Sequence, residues 1–232
     1  ITSGNDGIQA ETVLRIADGM FTIEAGGGAT GDIVVSDQFG DVMGGGMPGG
    51  MAPGQQDASA MQQSNDNSAT AESESTKGIK AGQLVEVQRA TLTISSLDDA
   101  IHSNGSISIL SGSFDMTTDD DGMHADNILT IVGGTIDVQN SYEGLEAGKI
   151  YIKDGDITIT AADDGLNAAS DTLSDNVMSI EGGNLFVVTG GDGLDSNAEL
   201  TVSGGTTVVY STSDGGDGAL DADGTMTISG GT

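Results

Sequence analysis

The stretch Asp121-Gly122-Met123-His124-Ala125, followed by Asp126-Asn127, Leu129-Thr130-Ile131, Gly133-Gly134 and Ile136-Asp137-Val138, decides the fold. Asp120-Asp121-Gly122 reads as a turn and Met123-His124-Ala125 as a short strand with two residues inward and one outward. Asp126-Asn127 turns the chain, and Leu129-Thr130-Ile131 alternates apolar and polar, the period of a strand. Gly133-Gly134 turns it again before Ile136-Asp137-Val138, a third alternating strand. Helices need runs of about 10 or more residues at a 3.6-residue period, and this chain has none.

The pentad recurs. Asp6-Gly7-Ile8-Gln9-Ala10, Lys77-Gly78-Ile79-Lys80-Ala81, Asp99-Ala100-Ile101-His102-Ser103 and Glu143-Gly144-Leu145-Glu146-Ala147 are copies. So are Asp164-Gly165-Leu166-Asn167-Ala168, Asp192-Gly193-Leu194-Asp195-Ser196 and, with one extra residue, Asp217-Gly218-Ala219-Leu220-Asp221-Ala222. The central apolar residues fall at 8, 79, 101, 123, 145, 166, 194 and 220, in steps of 71, 22, 22, 22, 21, 28 and 26. A fixed period of that size is the mark of a solenoid. Three strands and three turns per repeat predict an all-β, single-stranded, right-handed parallel β-helix of about eight coils.

Aligned on the pentad, the second strands stack Leu14/Ile16, Val85/Val87, Ile107/Ile109, Leu129/Ile131, Ile150/Ile152, Met178/Ile180, Leu200/Val202 and Met226/Ile228. The third strands stack Phe21/Ile23, Leu92/Ile94, Phe114/Met116, Ile136/Val138, Ile157/Ile159, Leu185/Val187 and Thr207/Val209. Adjacent coils lie roughly 4.8 Å apart, so each column becomes a continuous apolar ladder. Aromatics make up 3% of the chain, and stacked aliphatics are therefore expected to fill the interior. A β-sandwich would not repeat one pentad eight times.

All 232 residues are expected to form one domain, 1–232, broken by an insert at about 27–75 where the period is lost. The insert holds Gly44-Gly45-Gly46-Met47-Pro48-Gly49-Gly50-Met51 and a Gln/Ser/Asn/Glu-rich run, a composition that cannot build a core. It reads as a solvated excursion, with a Met-bearing flap as the alternative. There is no cysteine and no apolar run of about 18 residues that would span a membrane. Opening at Ile1 inside a coil and stopping at Thr232 after Gly230-Gly231, the chain reads as a trimmed piece whose end coils need covering.

The formal net charge is −30, from 36 acids against 6 bases. Such a surface repels nucleic acid and anionic lipid, which excludes both as partners and gives no means of direct membrane insertion. The acids recur in register. Asp6, Asp99, Asp121, Glu143, Asp164, Asp192 and Asp217 precede the pentad glycine or its alanine substitute, with only Lys77 departing. Asp98, Asp120 and Asp163 stand one residue earlier, and Glu146, Asn167, Asp195 and Asp221 stand on the outward position of the first strand. Stacked carboxylates roughly 5 Å apart repel by about 3 kcal/mol at an effective dielectric of 20. The column therefore calls either for cations between its members or for side chains splayed into water. Oxygen-only donors on turns suit Ca²⁺, and several ions are expected along this edge. Lys80, His102, His124 and Glu146 share one outward row, which reads either as exposed or as a Zn- or Ni-type site.

The strings Asp163-Asp164-Gly165-Leu166-Asn167-Ala168, Gly190-Gly191-Asp192-Gly193-Leu194-Asp195-Ser196-Asn197 and Gly215-Gly216-Asp217-Gly218-Ala219-Leu220-Asp221 resemble those of a known family. It is the calcium-containing, carbohydrate-binding β-helix proteins of cellulolytic bacteria, which are similar in fold to family 9 polysaccharide lyases. The resemblance is best over 76–232 and implies calcium at the Asp-Gly column, an extracellular or cell-surface place, and binding of plant cell-wall polysaccharide, cellulose or polygalacturonate. The expected molecule is a monomeric, non-catalytic binding module. The alternatives are a calcium-dependent lyase, with Lys80 as the best candidate base, or a structural surface spacer. A polyanion such as polygalacturonate would need Ca²⁺ to bridge it to a surface of this charge. Tyr142, Tyr151 and Tyr210 are too few tyrosines for a long sugar-stacking platform.

Overall fold

The computed structural model describes residues 1–31, 75–170, 173–212 and 216–232. The chain divides into Ile1–Val35 with Ser75–Thr232 as one unit and Ser36–Glu74 as another, the latter outside the described residues. The expected insert lies outside them too, apart from its first residues, 27–31, and its last, Ser75.

Among the described residues every regular element is a strand and every strand pairing is parallel. A full coil runs as Ile79–Ala81, Leu84–Val87 and Ala90–Ser96, and the next as Ile101–Ser103, Ser106–Ile109 and Gly112–Thr118. Each strand pairs with its counterpart one repeat on. The third strands form an eight-stranded sheet, and the first and second strands join in a 13-stranded one. Such an arrangement is consistent with a β-solenoid.

The register is the one the pentad sets. Ile8 pairs with Ile79, Ile79 with Ile101, Ile101 with Met123, Met123 with Leu145, Leu145 with Leu166, and Leu166 with Leu194. Leu194 closes the column against Leu220. From Ile79 to Leu194 this column is fully buried, as are the inward pairs of the other two strands from the coil of Ile79 to that of Leu166, whereas in the coil of Leu194 the third-strand pair Thr207/Val209 is half-buried. Phe114 is the largest buried side chain.

The pentad glycine follows from this packing. A Cβ on Gly144 would lie 2.3 Å from the Gly165 carbonyl oxygen and 2.4 Å from Ile159 Cγ2, so the coils meet too closely there for most side chains. Gly155, at φ 128°, supplies the left-handed turn between second and third strands.

One local expectation is corrected. In the repeat of residues 120–141, Met123–Ile131 is a single strand, not two strands separated by a turn at Asp126-Asn127. The corner survives as a shift of register between Ala125 and Ile128. Asn127 N–H still donates to the Gly105 carbonyl at 2.9 Å, so a backbone bond links the coils within the bend where the regular pairing is interrupted.

Candidate functional site

Backbone hydrogen bonds align the acidic column. The pentad amides of Gly78, Ala100, Gly122, Gly144 and Gly165 donate to the carbonyls of Asp99, Asp121, Glu143, Asp164 and Asp192 at 2.9–3.0 Å. The next amide, of Gly193, donates to Gly218. Gly218 therefore holds the place expected for Asp217, which falls one residue outside the column because the last pentad carries an extra residue. The outward row runs Lys80, His102, His124, Glu146, Asn167, Asp195, and Leu194 opposite Leu220 brings Asp221 to its end. In the row one residue earlier, Asp98 and Asp120 are followed by Tyr142, which separates them from Asp163.

The column divides into two chemically different halves. In the first, the acids are buried against the chain's own cations. Asp99 is 2% exposed and Asp121 4%. Lys77 donates to Asp98 and, at 2.9 Å, to Asp99, so the residue that departs from the acidic pattern is its counter-ion. His102 Nδ1 lies 2.7 Å from Asp99 Oδ2. Burial alone would raise the Asp99 pKa, but His102 and Lys77 overcome it and hold the carboxyl at about 2. Burial likewise opposes charge on His124, but Nδ1 contacts to Asp121 at 3.1 Å and Glu146 at 2.9 Å raise its pKa to about 11. The row is thus not an exposed one: His102 is 8% exposed, and its ring centroid lies 5.1 Å from that of His124. Asp99, His102 and His124 bring ligand atoms within 4.8 Å of one another, as do Asp121, His124 and Glu146 and also Asp98, Asp99 and Asp120. At Asp120, burial and then the neighbouring Asp99 and Asp98 push the carboxyl up to about 6.

The second half holds oxygen donors and, among the described residues, no ion pair to a Lys, Arg or His. Asp164, Asp192 and Asp195 bring carboxylate oxygens within 4.8 Å of one another. Asp192 N–H donates to Asp164 Oδ1 at 2.7 Å, and Gly218 N–H donates to Asp192 Oδ1. Burial, then the charges of Asp163, Asp195 and Asp192, push Asp164 up to about 7 against that one amide bond. Burial, then Asp192, Asp221 and Asp223, push Asp195 up to about 6. Asn167 Nδ2 donates to Glu143 Oε1 at 3.1 Å, while Glu143 Oε2 and Asn167 Oδ1 are buried without a hydrogen-bond partner. Glu143 is pushed upward by burial and by Asp121 and Glu146. Asp217 and Asp221 are exposed. A cleft of ≈ 350 Å³ opens beside the outward row, lined by His124, Glu146, Ser170 and Asn197 among others.

The candidate base, Lys80, donates to Ser75 Oγ at 3.2 Å. Lys77 is held charged, because Asp99 and Asp98 outweigh the burial that opposes its charge.

One surface was missed when only tyrosines were counted. Phe186 and Tyr210 stand on the outer face of neighbouring third strands, their ring centroids 5.7 Å apart and their planes tilted by 58°. The alternation Leu185-in, Phe186-out was the available signal.

A family model described as "Carbohydrate-binding domain-containing protein" matches residues 1–122 and again 117–232. No curated protein and no solved structure matches the chain. The carbohydrate-binding part of the expected resemblance is thereby borne out.

Proposed function

The chain belongs to the carbohydrate-binding domain-containing protein family, and from that premise we propose a non-catalytic, extracellular or cell-surface module that binds plant-wall polysaccharide. On this reading the fold is a right-handed parallel β-helix, and Ca²⁺ loads the second half of its acidic column. The parallel pairing of every repeat supports the coil, and the strong preference for right-handed crossover connections supports the hand.

The observation that carries calcium is the pair of orphaned oxygens, Glu143 Oε2 and Asn167 Oδ1, in the half of the column without counter-ions. A buried acceptor left unpaired costs about 1–3 kcal/mol, and a cation removes that cost for several acceptors at once. All the donors are carboxylate and amide oxygens, which fits a hard ion and not a thiolate- or imidazole-seeking one. Glu143, Asn167, Asp164, Asp192 and Asp195 would hold it. The ion supplies the positive charge that lets stacked carboxylates ionise together. In the first half, Lys77 already lies against Asp98 and Asp99, and His124 against Asp121 and Glu146. On this reading the ion takes fewer residues than the whole column, while burial and neighbouring acids raise the Asp120 and Asp121 carboxyls.

Metal analysis of the purified chain, combined with retention on cellulose and on polygalacturonate, tests the reading. Bound calcium and retention without ultraviolet-absorbing product are expected. Growth of the unsaturated product of β-elimination, abolished in Lys80→Ala, would replace the binding module with a lyase.

A further inference from the structure

We propose that the outer face of the strands Asn184–Thr189 and Thr206–Tyr210 is the sugar-binding platform, and that it takes an uncharged glycan chain with a flat apolar ring face. The inference rests on the polysaccharide-binding reading and gives it a place and a ligand class.

The first observation is a break in pattern. Along this sheet the register aligns Thr22, Thr93, Asp115, Asp137, Thr158, Phe186 and Val208 in one outward row. A second row aligns Thr160, Val188 and Tyr210. Both rows are polar until the last two strands, where they turn apolar together. Phe186 is 41% exposed, Val188 37%, Val208 39% and Tyr210 61%. The residues between them on the strand Asn184–Thr189, Leu185 and Val187, are buried in the core. The outward apolar residues are thus surplus to the fold, and they sit side by side on a sheet whose strands lie roughly 4.8 Å apart.

The second observation is the chemistry around the patch. Asn184 Nδ2 donates to Asp156 Oδ1 at 2.7 Å on the same face, and Thr158 and Thr160 stand beside Phe186 and Val188. An aromatic pair for the C–H face of a pyranose, rimmed by hydroxyl, amide and carboxylate groups for its hydroxyls, is what a neutral sugar ring needs.

The third observation is charge. The strands of this sheet, Thr2–Ser3, Gly19–Ala25, Ala90–Ser96, Gly112–Thr118, Thr135–Ser141, Asp156–Ala161, Asn184–Thr189 and Thr206–Tyr210, contain no Lys, Arg or His. They do contain Glu24, Asp115, Asp137 and Asp156. A uronate chain would meet like charge there with nothing to neutralise it. A neutral β-linked glucan meets no such penalty.

The test compares the wild-type chain with Phe186→Ala/Tyr210→Ala and Tyr210→Phe in calcium-containing buffer, on insoluble cellulose, a soluble β-glucan and polygalacturonate. Both positions are exposed, and melting temperature and calcium content serve as controls for folding. The double variant should lose retention on the neutral glycans by roughly tenfold or more, on the scale of two lost stacking contacts. Tyr210→Phe should keep it. Equal retention by wild type and double variant would overturn the platform. Retention on polygalacturonate lost in the double variant would overturn the ligand class. A wild-type dimer in sedimentation that the double variant abolishes, with glycan retention unmoved, would assign the face to a second copy and overturn the proposal. Failure of the wild type on every glycan would overturn the polysaccharide reading and the platform with it.

Discussion

Glu143 and Asn167 meet across neighbouring coils, Asn167 Nδ2 donating to Glu143 Oε1 at 3.1 Å, while Glu143 Oε2 and Asn167 Oδ1 stay buried with no hydrogen-bond partner. Amide and carboxylate thus satisfy one another halfway. Native proteins leave few such atoms, and these two lie where no cationic side chain pairs with the acids. Ligand binding to the folded state stabilises it by mass action. Chelation should therefore lower the melting temperature by many degrees, and added Ca²⁺ should restore it. An unchanged melt after verified removal of metal would show that these oxygens are tolerated unpaired.

Register within the second half of the column separates ligand from bystander. Asp192 lies in the column, within reach of Asp164 and Asp195. Asp217 is displaced from it by the extra residue and is exposed. Asp192→Ala should lower bound calcium and stability, whereas Asp217→Ala should leave both within error, since a surface substitution typically moves stability by under about 0.5 kcal/mol. Equal calcium loss in both variants, read by metal analysis, would remove the column as the site.

The Lys77–Asp99 pair gives a pH signature. Asp99 titrates at about 2 in the folded chain, below its ordinary 3.8. Because the folded value is depressed, its contribution is complete above 3.8 and is lost as pH falls through about 2. The depression corresponds to about 2 kcal/mol. Lys77→Met leaves a carboxylate that is 2% exposed with His102 as its remaining side-chain partner, at a cost of roughly 1–3 kcal/mol near pH 7. The gap in urea midpoint between wild type and variant should narrow toward pH 2. A gap constant from pH 7 to 3 would mean the pair acts through packing and not through charge.

The coil register was legible in the sequence because one period runs through eight pentads, and Ile8, Ile79, Ile101 and their successors pair as that period requires. What was not legible depends on where side chains reach. Lys77 looked like an exception to an acidic column, since sequence gives its identity but not its contacts to Asp98 and Asp99. The split of the column follows from those contacts. Asp217 was misplaced because one extra residue can be absorbed on either side of a turn, and only Leu220 opposite Leu194 fixes which. Phe186 and Tyr210 lie diagonally across two strands, Phe186 opposite Val208 and Val188 opposite Tyr210. Linear spacing does not display such a diagonal.

Deletion of residues 43–74 should leave the coils folded. The strands before the insert pair directly with those after it: Ile8 with Ile79, Leu14 with Val85, Phe21 with Leu92. The chain leaving the first coil is also held on its own. Ala29 N–H donates to Ser95 Oγ at 2.9 Å, and Asp119 accepts from the Thr30 and Gly31 amides at 2.9–3.0 Å and from Thr30 Oγ1 at 2.5 Å. These bonds outweigh a small burial penalty and pull the Asp119 pKa down. The deletion should therefore give soluble, β-rich protein with calcium content and glycan retention near wild type, as read by circular dichroism, metal analysis and pull-down. Adding Asp119→Ala to the deletion should loosen the exit of the first coil and lower the melting temperature by a few degrees, with roughly 1 kcal/mol lost. Insoluble protein from the deletion alone would mean that the insert is part of what holds the first coil against the second.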